Sequence, residues 1–127
     1  TVALGQVSDE QKRVYDLVLE AQLAAIAAVK PGAACSDVDK AARDRIYNAG
    51  YEGCFGHATG HAVGLEIHEA PRFSTGDKTL LKPGMVMTVE PGVYLPGKFG
   101  VRIEDMVAVT EGGCRNLTHS PKELIEL

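Results

Sequence analysis

Ionisable side chains gather in three short stretches of the second half of this chain, each set among glycines and apolar neighbours. His57-Ala-Thr-Gly-His61-Ala-Val-Gly-Leu-Glu-Ile-His68-Glu69-Ala-Pro71 holds three of the four histidines, leaving out only His119. Thr88-Val-Glu90-Pro-Gly-Val-Tyr94 and Gly100-Val-Arg102-Ile-Glu104-Asp105 hold carboxylates, a tyrosine and an arginine. An imidazole and carboxylates brought from separate strands can converge on a divalent cation. A carboxylate-rich set of this kind favours manganese, with zinc and cobalt as alternatives, over metals that prefer sulfur. A second reading exists for each group. Glu90 follows Val-Met-Thr-Val, and a carboxylate buried there needs a compensating partner, which Arg102 in a structural ion pair would provide as well as a metal. Glu104 has the same choice. A single histidine more often donates to a backbone carbonyl than ligates. On spacing alone both readings stand.

The elements that must position these groups divide near Gly50. Before it the chain is alanine-rich with helical periodicity; after it come glycine, β-branched residues and turn signals. Ser8 with Gln11 reads as a capping box, and Val14, Leu17, Val18, Ala21, Ala25 and Ala28 recur at helical spacing until Pro31-Gly32, predicting a helix over 9–29. Ser36 is an N-cap candidate for a second helix over 37–49, with Val38, Ala41, Ala42, Ile46 and Ala49 on one face and Gly50 as its stop. Residues 61–68, 86–90 and 100–109 read as strands bounded by Pro-Gly and Gly-Gly turns. The expected class is α+β, a mostly antiparallel curved sheet with helices on one face. Residues 1–5 read as the tail of a strand, so the chain is expected to begin inside one. A sheet opened in this way offers unpaired backbone groups along an edge, and a homo-oligomer is the expected outcome.

Composition narrows the function classes. With 127 residues the chain fits one domain, and 45% hydrophobic against 24% charged residues is ordinary for a globular protein, not a disordered or fibrous one. A net charge of -4 opposes attraction to nucleic acid or to an anionic membrane, and neither is expected as a partner. No apolar run approaches the length of a membrane span. Cys35, Cys54 and Cys114 are odd in number and widely spaced, which argues against disulfides or a structural zinc site and for reduced thiols in the cytoplasm.

The three motifs, in their order, resemble the M24-type metallopeptidases of the pita-bread (creatinase/aminopeptidase-like) fold, which include Xaa-Pro aminopeptidase, prolidase and methionine aminopeptidase. The likeness extends over residues 1–127 as the C-terminal part of such a catalytic domain. The Arg102-Ile-Glu104-Asp105 form, with Tyr94 after Glu90-Pro-Gly, is similar to the Xaa-Pro branch. The resemblance implies that His61 and Glu90 ligate one metal ion and that Glu104 bridges it to a second. It also implies two aspartate ligands upstream of Thr1, for which Asp37, Asp39 and Asp44 are in the wrong place. The activity implied is hydrolysis of the bond between an N-terminal residue and proline in a peptide substrate. Glu90 would move the proton, His68 would stabilise the oxyanion and His57 would line the substrate pocket, with Arg102 and Tyr94 orienting the carboxylates. A pseudo-peptidase that keeps the shape for binding alone, a creatinase-like hydrolase and a methionine aminopeptidase are the rivals. Retention of His61, Glu90 and Glu104 weighs against the first two.

Overall fold

The computed structural model describes residues Thr1 to Leu127. Ser8 caps α1 (Asp9–Ala28), its hydroxyl accepting from the Gln11 amide while the Gln11 side chain accepts from the Ser8 amide. That reciprocal box satisfies two helix-end donors and fixes where the helix starts. The face that carries Val14, Val18, Ala21 and Ala25 is buried. Gln22 is also buried there, and neither polar atom of its side chain has a partner.

The second helix, α2 (Cys35–Ile46), begins two residues earlier than the Ser36 signal suggests. The backbone of residues 77–79 accounts for the difference. The Cys35 amide donates to the Thr79 carbonyl and the Ser36 amide to the Asp77 carbonyl, so the first turn is satisfied without a side-chain cap. The Ser36 hydroxyl instead accepts from Lys78 at 3.0 Å. Beyond Ile46 the chain widens into a π turn, Tyr47–Tyr51, in which Gly50 adopts the left-handed φ of 91° that ends the helical path.

Strands follow: β1 (Val2–Ala3) at the start, then β2 (Gly60–Ala62), β3 (Glu69–Phe73), β4 (Val86–Val89), β5 (Gly92–Leu95), β6 (Phe99–Arg102), β7 (Asp105–Thr110), β8 (Gly113–Asn116) and β9 (Ile125–Glu126). The main sheet has the order β3-β2-β4-β7-β8 and is antiparallel throughout. Strand β1 is not left unpaired: it runs parallel to β9. Two expected strands are shorter than their sequence pattern. The strand read over 61–68 ends at Ala62, because the chain turns sharply between Gly64 and Glu69. The Gly64 amide donates to the Glu66 carbonyl, and the Glu66 amide donates to the Glu69 carboxylate. The strand read over 100–109 breaks at Ile103 and Glu104 into β6 and β7, which belong to different sheets.

That break sits in the middle of one long hairpin. Val89 pairs with Asp105 in the main sheet, Gly92 pairs with Arg102 in the β5-β6 ribbon, and the register is the same on both sides of the gap. The Ile103 amide still reaches the Pro91 carbonyl at 3.4 Å. Glu90 and Glu104 therefore lie opposite each other at the interruption. A single buried cluster joins the helices to the strands, with Phe55, Phe73, Met87, Val89, Val93 and Val107 facing Val14, Val18, Val38 and Ile46. Cys35 is part of it, and burial pushes its thiol up to about 11, so it packs as a small apolar side chain and not as a nucleophile.

Candidate active site

The groups singled out by type and spacing come together at the end of the main sheet, in an open groove of about 350 Å³ lined by His57, His61, His68, Arg72, Glu90 and Arg102 with small residues between them. Gly60 lets this happen. A Cβ on Gly60 would lie 1.9 Å from the Thr88 carbonyl oxygen, so only glycine allows β2 to approach β4 this closely and bring His61 against Glu90.

His61 Nε2 lies 3.1 Å from Glu90 Oε1, and both side chains are largely buried. The other ring nitrogen, Nδ1, is 3.0 Å from the Ala62 carbonyl, which can only accept, so Nδ1 carries the proton. In the neutral ring, Nε2 then presents a lone pair to a carboxylate oxygen. Two acceptors face each other, an arrangement that a cation between or beside them satisfies. Glu90 is held in place by the Thr88 hydroxyl, which donates to Oε1 at 2.9 Å, and by its own amide, which donates to the Thr59 carbonyl at 2.7 Å. The same Thr88 hydroxyl accepts from the His61 amide, so one side chain orients both partners.

His57 belongs to a separate network. Its Nδ1 donates to the Ala58 carbonyl at 2.8 Å, which leaves Nε2 to accept from the Tyr94 hydroxyl at 2.8 Å. Tyr94 lies across the β5-β6 ribbon in space left by Gly92 and Gly100, where an added Cβ would come within 2.8 Å and 2.9 Å of the tyrosine side chain. The Arg102 guanidinium is held in its charged form above its usual range. The Tyr94 hydroxyl is the chief cause, and the carboxylates of Glu90 and Glu104 add to it. Tyr94 thus bonds the His57 imidazole directly, and Arg102 reaches the carboxylates by charge. His68 stands exposed at the mouth, its ring centred 4.5 Å from that of His61.

Glu104 is the residue least gathered in. Its backbone is opposite Glu90, but the residue is exposed, and no three side chains of His, Cys, Asp or Glu converge at metal-binding distance. The donor chemistry fits a divalent cation at His61 and Glu90, with a second carboxylate opposed in register; the residues of this chain do not by themselves enclose two ions. Asp105 turns the other way. It is buried, accepts from Asn116 at 2.7 Å and pairs with Lys122 at 2.6 Å.

Two features of the site escaped the sequence reading. Arg72 lines the groove because His61 pairs with it across β2 and β3, and β3 itself was hidden by its proline, which an edge strand tolerates. The other is an ion pair on α2, between Asp39 and Arg43, that grips the segment carrying His57. An Asp and an Arg four residues apart on a helix are its only signal.

Comparison with known proteins bears on this arrangement. The profile of metallopeptidase family M24 matches residues 1–111. A peptidase of Bacillus subtilis described as uncharacterized is 51% identical over 127 residues, the whole of this chain and 36% of that protein. A Xaa-Pro dipeptidase of Pyrococcus furiosus is 49% identical over 98% of this chain and 36% of its own length. The solved structure of a Xaa-Pro dipeptidase from Bacillus anthracis superposes with a TM-score of 0.96 at 51% identity, covering 99% of this chain and 36% of that one. The chain therefore spans about 36% of the length of the relatives it matches. Its fold is the corresponding part of the pita-bread fold.

Proposed function

The chain belongs to metallopeptidase family M24, and on that footing we propose that it carries part of the active site of an enzyme that hydrolyses the bond between an N-terminal residue and proline. The observation that supports this most directly is the approach of His61 Nε2 to Glu90 Oε1 at 3.1 Å, with Glu104 opposed in register.

In this reading His61 and Glu90 would hold one divalent ion and Glu104 would supply a carboxylate shared with a second, with manganese preferred by the imidazole and carboxylate donors and zinc or cobalt as substitutes. The ions, when bound, polarise the scissile carbonyl and lower the pKa of the attacking water. Glu90 Oε1 accepts from the Thr88 hydroxyl and faces His61 Nε2, so Oε2 is the oxygen that takes the proton from the water and passes it to the leaving proline nitrogen. His68, exposed beside His61, donates to the oxyanion as it forms. His57 presents a wall of the substrate pocket, fixed in one tautomer by Tyr94 and the Ala58 carbonyl. Arg102 offsets the charge of the two carboxylates. On its own the chain does not enclose two ions, and it is expected to be inactive by itself. Its three free cysteines suit a reducing compartment such as the cytoplasm.

Two measurements test this reading. Calorimetric titration of the 127-residue chain with manganese is expected to show binding weaker than micromolar, and two sites of micromolar affinity or better would contradict it. The full-length protein with manganese is expected to cleave Ala-Pro peptides in preference to Met-Ala. A preference for Met-Ala would assign it to methionine aminopeptidase, and loss of both activities would favour a binding module.

A further inference from the structure

Asp39 and Arg43 stand one turn apart on α2, away from the groove, and the resemblance that identifies the site gives them no part in it. Asp39 is fully buried, and Arg43 meets both of its carboxylate oxygens at 2.8 Å. A buried pair is costly to form and is a poor choice for stability alone. What sets this one apart is what each partner does with its remaining valences. The Arg43 guanidinium donates to the Phe55 carbonyl at 2.8 Å and to the His57 carbonyl at 2.8 Å, and lies 4.2 Å from the centre of the Phe55 ring. The Asp39 carboxylate accepts from the Thr59 hydroxyl at 2.8 Å and from the Thr59 amide at 3.2 Å. Residues 55–59 lie outside the named strands; Thr59 is also held by the Phe73 carbonyl and the Glu90 amide and His57 by Tyr94, and the pair supplies the fixed points of the Phe55, His57 and Thr59 backbone on the α2 side.

Two site residues hang from that segment. The His57 ring packs edge-on against Phe55, with centroids 5.0 Å apart, and the Thr59 carbonyl receives the Glu90 amide at 2.7 Å. We propose that Asp39 and Arg43 are positioning residues of the active site, a planar clamp on α2 that sets the place of His57 directly and that of Glu90 through Thr59. The inference takes from the functional reading above only what the site does; what the clamp holds is read from geometry. Guanidinium shape matters here, because the fork must reach one carboxylate and two carbonyls at once, which an ammonium cannot.

The test uses the full-length protein as wild type and as Arg43→Lys, Arg43→Met and Asp39→Asn. Nitrogen-15 histidine spectra without metal at one fixed neutral pH are expected to show His57, assigned by its loss in His57→Gln, as the Nδ1-protonated tautomer. In Arg43→Met that signature should give way to a mixture while the signal of exposed His119 is unchanged, with Arg43→Lys in between. On an Ala-Pro substrate kcat should fall by up to about 100-fold in Arg43→Met with KM changed by less than about twofold, as for a misplaced reacting group. In the wild type, the Arg43 side-chain protons should exchange with solvent far more slowly than those of exposed Arg45. If Arg43→Met does not fold, Asp39→Asn and this exchange measurement decide. An unaltered His57 signature in folded Arg43→Lys and Asp39→Asn, or free exchange at Arg43, overturns the clamp. A wild type without Xaa-Pro activity overturns the functional reading instead, and the spectra still decide the clamp.

Discussion

Arg102 carries its charge near two carboxylates that would otherwise repel. Glu90 and Glu104 are like charges at opposed positions of one hairpin, an arrangement that destabilises a ladder unless a cation intervenes. The guanidinium supplies a permanent positive charge there, which the Tyr94 hydroxyl above all helps it keep. Replacing it by leucine in the full-length protein is expected to lower kcat/KM on Ala-Pro by about 10 to 100-fold through metal affinity or carboxylate geometry, with lysine restoring only part. Unchanged kinetics in Arg102→Leu would reduce the arginine to a surface charge. The Thr88 hydroxyl works at the same scale without any charge, since a single oxygen sets both the His61 backbone and the Glu90 carboxylate.

At the scale of elements, the C-terminal segment is tied to the strand that follows Glu104. Lys122 gives Asp105 Oδ1 its only partner, and the Lys122 carbonyl accepts from the Tyr15 hydroxyl of α1 at 2.7 Å. Lys122→Met would leave a buried carboxylate with Asn116 alone, and is expected to cost about 1 to 3 kcal/mol in a denaturant melt. Asp77 is the corresponding tie between β3 and α2: its carbonyl accepts from the Ser36 amide and its carboxylate from the amides of Arg72 and Thr79, and the carboxylate's bonds hold its pKa below the ordinary value. A depressed carboxylate stabilises the fold above its unfolded pKa of about 4 and stops doing so as pH falls through its lower folded value. Asp77→Asn should therefore melt below the wild type at neutral pH, and the gap should close in acid; a gap independent of pH would exclude this charge effect. What the sequence displayed of these elements follows from what is local. The Ser8 box, the α1 stripe and the chemistry-bearing motifs are written in neighbouring residues. The true start of α2 is not, because its cap is the backbone of residues 77–79, and neither is the break at Ile103, because apolar alternation continues across it. The gathering of His61 with Glu90 was expected from the order of three motifs; the Asp39–Arg43 grip on His57 depends on contacts that no spacing rule announces.

For the whole molecule, Val2, Leu4, Ile125 and Leu127 leave the paired ends of β1 and β9 as an exposed apolar margin, with Leu4 89% and Leu127 74% exposed. Such a margin beside an open strand edge favours self-association, which is expected in sedimentation at low micromolar concentration. A sharp species of the single chain's mass with a cooperative thermal transition would refute that. The long hairpin has a consequence of a different kind, for how this part of the chain can change its length. Since the same pairing register runs through both arms and across the interruption, Glu90 meets Glu104 only because the residues in each arm number as they do. Adding or removing one residue within either arm, 91–95 or 99–103, slides one carboxylate past the other by about 3.3 Å and turns its arm over, whereas the turn at Pro96 and Gly97 can take up a residue outside the ladder. Compensation needs a matching change in the opposite arm, so lengths drift here in pairs or not at all, whereas the loop over 74–80 is free to grow by single residues wherever Asp77 and Thr79 keep their backbone contacts to α2.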